Sequence, residues 1–202
     1  MQFVLEDGVR EAIIFIETEY VNQIFENIKT GNMNNINKTT YMEVFTRINR
    51  EADRGDFKSR ELFEYFCQII ENYIIDCKMK LIEESNTNQS KLIDGFLFHT
   101  KNINYLIYMM IKGFFYLGRY YTPARFQKTL FQIAMNLYKS NFYESLKDNI
   151  QDGISYLKNE EKNGNEESNI ILKNIIEILE NLKLQKPKIT KVNGIIKWVN
   201  EM

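Results

Sequence analysis

The 202 residues carry 26 Lys and Arg against 27 Asp and Glu, so no surplus of positive charge argues for nucleic acid or an anionic membrane as partner. Hydrophobic residues make up 44% and aromatics 13%, which excludes a disordered chain and suffices for a substantial core. Nine Gly and two Pro leave few breakers and favour long helices over a many-turned β architecture.

Met1-Gln2-Phe3-Val4-Leu5 runs directly into Glu6 and Asp7 and does not read as a signal peptide. A first helix is expected over about 8–28, with Ile13, Ile16, Tyr20, Ile24 and Ile28 on its buried face. The stretch 30–39, with Gly31, Asn32, Asn34, Asn35 and Asn37, reads as a loop. The next helix opens at Thr40, where Thr40 as N-cap and Glu43 three residues later fit a capping box. Tyr41, Val44, Phe45 and Ile48 share one face, while Met42, Phe45 and Asn49 run down its flank. One stripe is enough to dock a short helix. The second is either more core, the commoner fate of aromatic stripes, or a face left for a partner.

Residues 51–56, with Gly55, read as a charged connection, followed by a long helix over about 59–83 carrying Leu62, Phe63, Phe66, Ile69, Ile70, Tyr73, Ile74, Cys77 and Leu81. A polar linker (85–90) and a short helix (91–99, with Leu92, Ile93 and Phe96) precede a helix over 101–121. That helix is apolar nearly all round and belongs at the bundle centre, its exposed end offering Tyr116, Gly118, Arg119, Tyr120 and Tyr121. Its densest run, Tyr105 to Leu117, is too short to span a bilayer and contains Lys112. Thr122-Pro123 marks a further helix start, with Phe126, Leu130, Ile133 and Leu137 as its buried face. Then come a helix over about 142–162 (Leu146, Ile150, Ile154, Leu157), a charged turn at 160–167, a helix over 168–184 ended by Pro187, and a last helix over about 190–201 presenting Val192, Ile195, Ile196 and Val199. No segment alternates with period two. The expected fold is all-α, with eight or nine helices.

Little in the chain points to catalysis. His99 is the sole histidine and sits in an apolar stretch, where a core role is the ordinary one; no Ser-His-Asp or Cys-His pairing suggests itself around it. One His and two separated Cys cannot assemble a zinc site, and neither GxGxxG nor GxxxxGK[ST] occurs, so no metal and no cofactor is expected. Glu83-Glu84, Glu160-Glu161 and Glu166-Glu167 lie in polar helix ends and read as solvated charge. Lys183, Lys186, Lys188, Lys191 and Lys197, with Trp198 nearby, make too sparse a pattern for a nucleic-acid face. Cys67 and Cys77, ten residues apart on one helix, stand about 15 Å apart and cannot bridge. Apolar-flanked thiols fit a reducing compartment, the cytoplasm or nucleus.

Three stretches, in order and spacing, resemble the N-terminal region of cullins, the scaffold subunits of multi-subunit ubiquitin ligases. They are Thr40-Tyr-Met-Glu-Val-Phe-Thr-Arg-Ile-Asn49; Ser59-Arg-Glu-Leu-Phe-Glu-Tyr-Phe66 with Ile70-Glu-Asn-Tyr-Ile74; and the tail from Leu137-Tyr-Lys-Ser-Asn-Phe142 through Ile150-Gln-Asp-Gly-Ile154 and Asn159-Glu-Glu-Lys-Asn-Gly164 to the Leu/Ile-rich helix at 171–182. The first is similar to the second helix of cullins that use BTB/POZ-fold adaptors linked to F-box substrate receptors. The resemblance implies a cullin-repeat bundle or solenoid, with a first five-helix repeat over 1–121 and part of a second over 122–202 closed by a capping helix. It implies a non-enzymatic scaffold in ubiquitin-dependent degradation. In the family the adaptor docks on the second and fifth helices, which here places partner contacts at Tyr41, Met42, Phe45, Asn49, Tyr116 and Tyr120.

Gly118 and Tyr121 stand where family members often carry Asn or Asp and Trp, and beyond Leu184 the resemblance stops. The family's C-terminal domain, which holds a RING-finger protein, has no counterpart in these residues, so no RING-finger partner is expected for them. The composition alone is equally compatible with a helical interaction or tethering module unrelated to ubiquitin, or with a ligand-binding bundle walled by Tyr105–Leu117.

Overall fold

The computed structural model describes residues 7–33, 36–85, 89–163, 165–184, 187–192 and 195–200, with Gln89 and everything from 181 onward described by backbone alone. The Met1–Leu5 leader, Asn34 and Asn35, residues 86–88 of the linker and Gly164 of the charged turn lie outside the described residues. The fold is all-α, with seven helices among the described residues and one two-stranded hairpin.

Helix α1 covers 7–30 as Asp7–Phe15, a π-helical stretch Ile16–Val21, and Asn22–Thr30. The π turn shifts the phase of its buried face, so Val9, Ala12, Ile16, Tyr20, Val21 and Ile24 are buried while Ile13 and Ile28 are half-buried. Gly31 ends it in the left-handed conformation at φ 71°, which a glycine adopts without steric cost.

Helix α2 is Lys38–Ala52. It starts two residues before Thr40, because Asn37 is the cap: its side chain accepts the Thr39 N–H at 2.9 Å. Thr40 therefore lies inside the first turn, and Glu43, rather than closing a capping box, pairs with Arg47 at 2.9 Å. The helix also runs further than expected, through Glu51 and Ala52. Both are buried, so the start of the presumed charged connection belongs to the core.

Helices α3 (Asp56–Ser85) and α4 (Gln89–Gly113) are longer than their sequence signals. No break falls at His99–Lys101: Thr100, which looked like a boundary, is buried and shares a 2.8 Å hydrogen bond with Tyr138. Helix α5 covers 117–126, as a π-helical stretch Leu117–Tyr121 and Thr122–Phe126. It follows α4 through 114–116 with helical hydrogen bonds, Phe114 N–H to Met110 O (2.9 Å) and Gly118 N–H to Phe114 O (3.2 Å).

Thr122-Pro123 is thus not a helix start. Thr122 donates its N–H to Leu117 O, five residues back, and its side chain caps nothing. Pro123 has no N–H, and its ring crowds the carbonyl four residues earlier; the widened turn before it accommodates both. The real break comes at Gln127, left-handed at φ 52°. Gln127→Gly is expected to raise stability by about 1 kcal/mol by removing the Cβ penalty, read as a rise of roughly 2–4 °C in Tm. Phe126, expected inside, is largely exposed.

Helix α6 covers 130–162, made of Leu130–Tyr138, a third π stretch Lys139–Tyr143, and Glu144–Lys162. Its start is a capping box that the sequence spells as Thr129-Leu-Phe-Gln132: Thr129 Oγ1 accepts the Gln132 N–H at 3.1 Å, and Gln132 Oε1 accepts the Thr129 N–H at 2.9 Å. Its buried face opens with Leu130, Ala134 and Tyr138, not with Ile133 and Leu137, which are half-buried. Helix α7 is Glu166–Leu184, capped by Asn165.

The last element is a correction. Instead of a capping helix over 190–201, β1 (Pro187–Val192) pairs antiparallel with β2 (Ile195–Asn200), Val192 opposite Ile195. The segment is rich in β-branched residues, and the two residues between the strands are Asn193 and Gly194, the dipeptide that favours tight hairpins.

Packing divides the chain into two compact units, one from Met1–Ile70 with Asn104–Ala134, the other from Glu71–Ile103 with Met135–Met202. Helices α3 and α4 each supply residues to both units. In the first unit Tyr20 donates to Met109 O at 2.6 Å, and a Cβ on Gly113 would lie 2.9 Å from the Tyr20 ring, so α1 and α4 touch backbone to ring. Burial pushes the Tyr20 phenol well above its ordinary pKa. In the second, Phe96 stacks on Phe142 (5.8 Å) beside Tyr138.

Candidate protein-docking surface

The first unit brings α2 and the 112–120 segment together. The Phe45 ring meets Phe115 at 6.5 Å, and Tyr116 donates its hydroxyl to Asp53 Oδ1 at 3.1 Å. Lys112 Nζ lies 5.8 Å from the Tyr41 ring and 5.0 Å from Tyr108. Tyr116 and Tyr120 pack ring to ring at 4.8 Å, and the Arg119 guanidinium sits over Tyr120 at 5.4 Å.

What these residues leave uncovered is more telling. Met42 is 48% exposed, Phe115 48% and Tyr120 54%, while Tyr41, Phe45 and Tyr116 are half-buried. Asn49 is half-buried one turn beyond Phe45, its carbonyl accepting the Asp53 N–H. Val44 and Ile48, on the other stripe of α2, are fully buried. The two stripes of the sequence thus separate into a core stripe and a surface stripe. Partial burial and the Asp53 acceptor raise the Tyr116 pKa, so the phenol stays a neutral donor. Phe115 and Asp53 were not legible as members of this group: Phe115 sits in a run that is apolar all round and gives no outward face, and Asp53 lies in a charged stretch.

The last turn of α2 carries a buried ionic cluster. Glu51 has no exposed side-chain area, yet Arg50 and Arg54 reach it at 2.9 and 3.1 Å and Lys58 at 3.7 Å. Burial pushes its carboxyl upward; the Arg50 hydrogen bond and the Arg54, Arg50 and Lys58 charges outweigh it and hold the pKa below the ordinary 4.5. The carboxylate also abuts α1, where a Cβ on Gly8 would lie 2.6 Å from Oε2.

His99 and the two cysteines lie outside this group of residues. His99 is buried beside the Phe98 ring, and burial lowers its pKa. Burial raises the Cys77 thiol to about 11, and no disulfide joins it to Cys67. Among the described residues no three His, Cys, Asp or Glu gather where they could hold a metal, and no helix is long and apolar enough to cross a membrane.

A family model described as the cullin alpha solenoid domain matches residues 18–193. The chain belongs to the cullin family. No curated protein matches it. The cullin match begins within α1 and runs past Leu184, where the resemblance had seemed to stop, through the first strand of the hairpin. The cullin α-solenoid is a scaffold fold, and its place in ubiquitin ligases is that of a scaffold built for protein–protein contacts. A Cβ on Gly118 would lie 3.2 Å from Leu130 Cδ1, tighter than ordinary contact, and Tyr121 is buried against Phe63 and Phe126.

Proposed function

We propose that this cullin module captures a BTB/POZ-fold adaptor, and through it an F-box-type substrate receptor, on the surface formed by α2 and the 112–120 segment. The observation that supports this reading most is the Phe45–Phe115 pair joining α2 to the 112–120 segment, with Phe115 itself and the flanking Met42 and Tyr120 left about half exposed. Large, rigid and partly buried side chains are suited to act as interface anchors, because a partner removes their remaining surface from water at little entropic cost. In this reading Tyr41, Met42, Phe45, Asn49, Tyr116 and Tyr120 are the contact residues, and Phe115 joins them because its ring packs on Phe45. The scaffold works by presenting the adaptor rigidly within a ligase of the cytoplasm or nucleus. In repeat terms, residues 1–121 form the first cullin repeat and 122–202 part of the next.

Calorimetry of the chain with a purified BTB/POZ-fold adaptor tests this. The Phe45→Ala, Tyr116→Ala double variant is expected to lose binding, each truncation costing upwards of ~1–2 kcal/mol, while circular dichroism reports an unchanged helical fold. An adaptor that binds wild type and folded variant alike docks elsewhere, and no binding at all removes the adaptor reading.

A further inference from the structure

Between Asp94 and Glu144 the sequence places six cations, Lys101, Lys112, Arg119, Arg125, Lys128 and Lys139, and no carboxylate, in a chain whose net charge is −1. Two of the six fall within the docking surface. Lys112 and Arg119 are exposed, and each lies over a tyrosine of that surface. Of the charged groups around them, Arg125 is held by Asp56 and Arg47 by Glu43, while Asp53 keeps its charge and accepts a hydrogen bond from the neutral Tyr116, leaving the two cations in excess over it. Among the described residues neither Lys112 nor Arg119 makes an ion pair with a carboxylate. A cation resting on an aromatic face is oriented by the ring quadrupole but not neutralised, so its field still reaches an approaching partner.

We propose that the adaptor this surface takes carries carboxylates around an apolar centre, and that Lys112 and Arg119 steer it into register before the aromatic anchors close. The proposal rests on the adaptor reading above and adds the charge of the docking face. Steering of this kind acts on the association rate and is screened by salt; contacts made only after docking act on dissociation.

Stopped-flow association of the chain with a purified BTB/POZ-fold adaptor, across about 50 to 500 mM salt, separates the two claims. For wild type, kon is expected to fall about tenfold over that range. The Lys112→Glu, Arg119→Glu pair is expected to lower kon about tenfold at low salt and flatten the salt dependence, with koff nearly unchanged. Lys112→Gln, Arg119→Gln should show the same change at smaller size, and Lys147→Glu, an exposed lysine on α6, should show none. Far-UV circular dichroism of each variant reports the fold. Binding whose kon ignores both salt and charge reversal overturns the steering proposal and leaves the adaptor reading intact. No binding by wild type overturns both.

Discussion

Glu51→Ala is expected to destabilise the chain by about 2–4 kcal/mol, the largest effect of any single polar change in the first unit. The carboxylate is fully buried and answers three cations, two of which, Arg50 and Arg54, are themselves half exposed. Removing it strips Arg50, Arg54 and Lys58 of their shared acceptor and opens a space against Gly8 at the start of α1. Because two of the cations can turn to solvent, the cost stays below that of a wholly buried pair. The same residue gives a pH signature. Its folded pKa is depressed, so its contribution is complete above the ordinary value of 4.5 and drains away as pH falls below that and through the folded pKa. Urea unfolding at pH 7 and at steps below pH 4.5 should show wild type losing stability with acidification, and Glu51→Gln losing less. Equal acid sensitivity in the two would mean that other carboxylates carry the effect.

Phe114→Ala and Phe115→Ala, one residue apart, should part company. Phe114 is fully buried, its ring against Phe66 at 5.4 Å and Tyr65 at 6.5 Å, and its truncation is expected to cost about 3–5 kcal/mol through lost burial and a residual cavity. Phe115, about half exposed, should cost less than about 1 kcal/mol in stability, yet weaken adaptor binding because Phe45 loses its partner ring. Denaturant titration and calorimetry on the two variants read both quantities. A Phe115→Ala chain that binds as wild type would move the docking centre away from the Phe45–Phe115 pair.

Helical periodicity was enough to read the all-α class and most buried faces from the sequence, because a helix repeats its core contact every three or four residues. Ile16, Tyr20, Ile24, Val44, Ile48, Leu62, Phe66 and Ile70 are all buried. Boundaries were less legible, since capping residues compete and the sequence does not rank them. Asn37 outcompetes Thr40, and Thr129-Leu-Phe-Gln132 forms the capping box while Thr122-Pro123, with an equally good cap pattern, lies inside a helix. The hairpin was missed because Val192, Ile195, Ile196 and Val199 also fit a helical stripe; Asn193-Gly194 was the signal that should have decided it. Glu51 could not be found by pattern, as a buried carboxylate looks in sequence like any loop acid. Phe115 joined the candidate surface only when α2 was seen beside it, a relation across 70 residues that no local window holds.

The π stretches carry a consequence for how this scaffold tolerates change in length. Each of Ile16–Val21, Leu117–Tyr121 and Lys139–Tyr143 holds one residue more than a regular turn needs. Loss of a residue there converts a wide turn into an ordinary one and keeps the flanking faces aligned. Loss of a residue from a straight stretch such as 62–66 swings everything downstream by about 100° around the helix axis. The stretch at Leu117–Tyr121, which holds exposed Tyr120 and buried Tyr121, is therefore a place where this helix can lose a residue without turning its inner aromatic set out of the core.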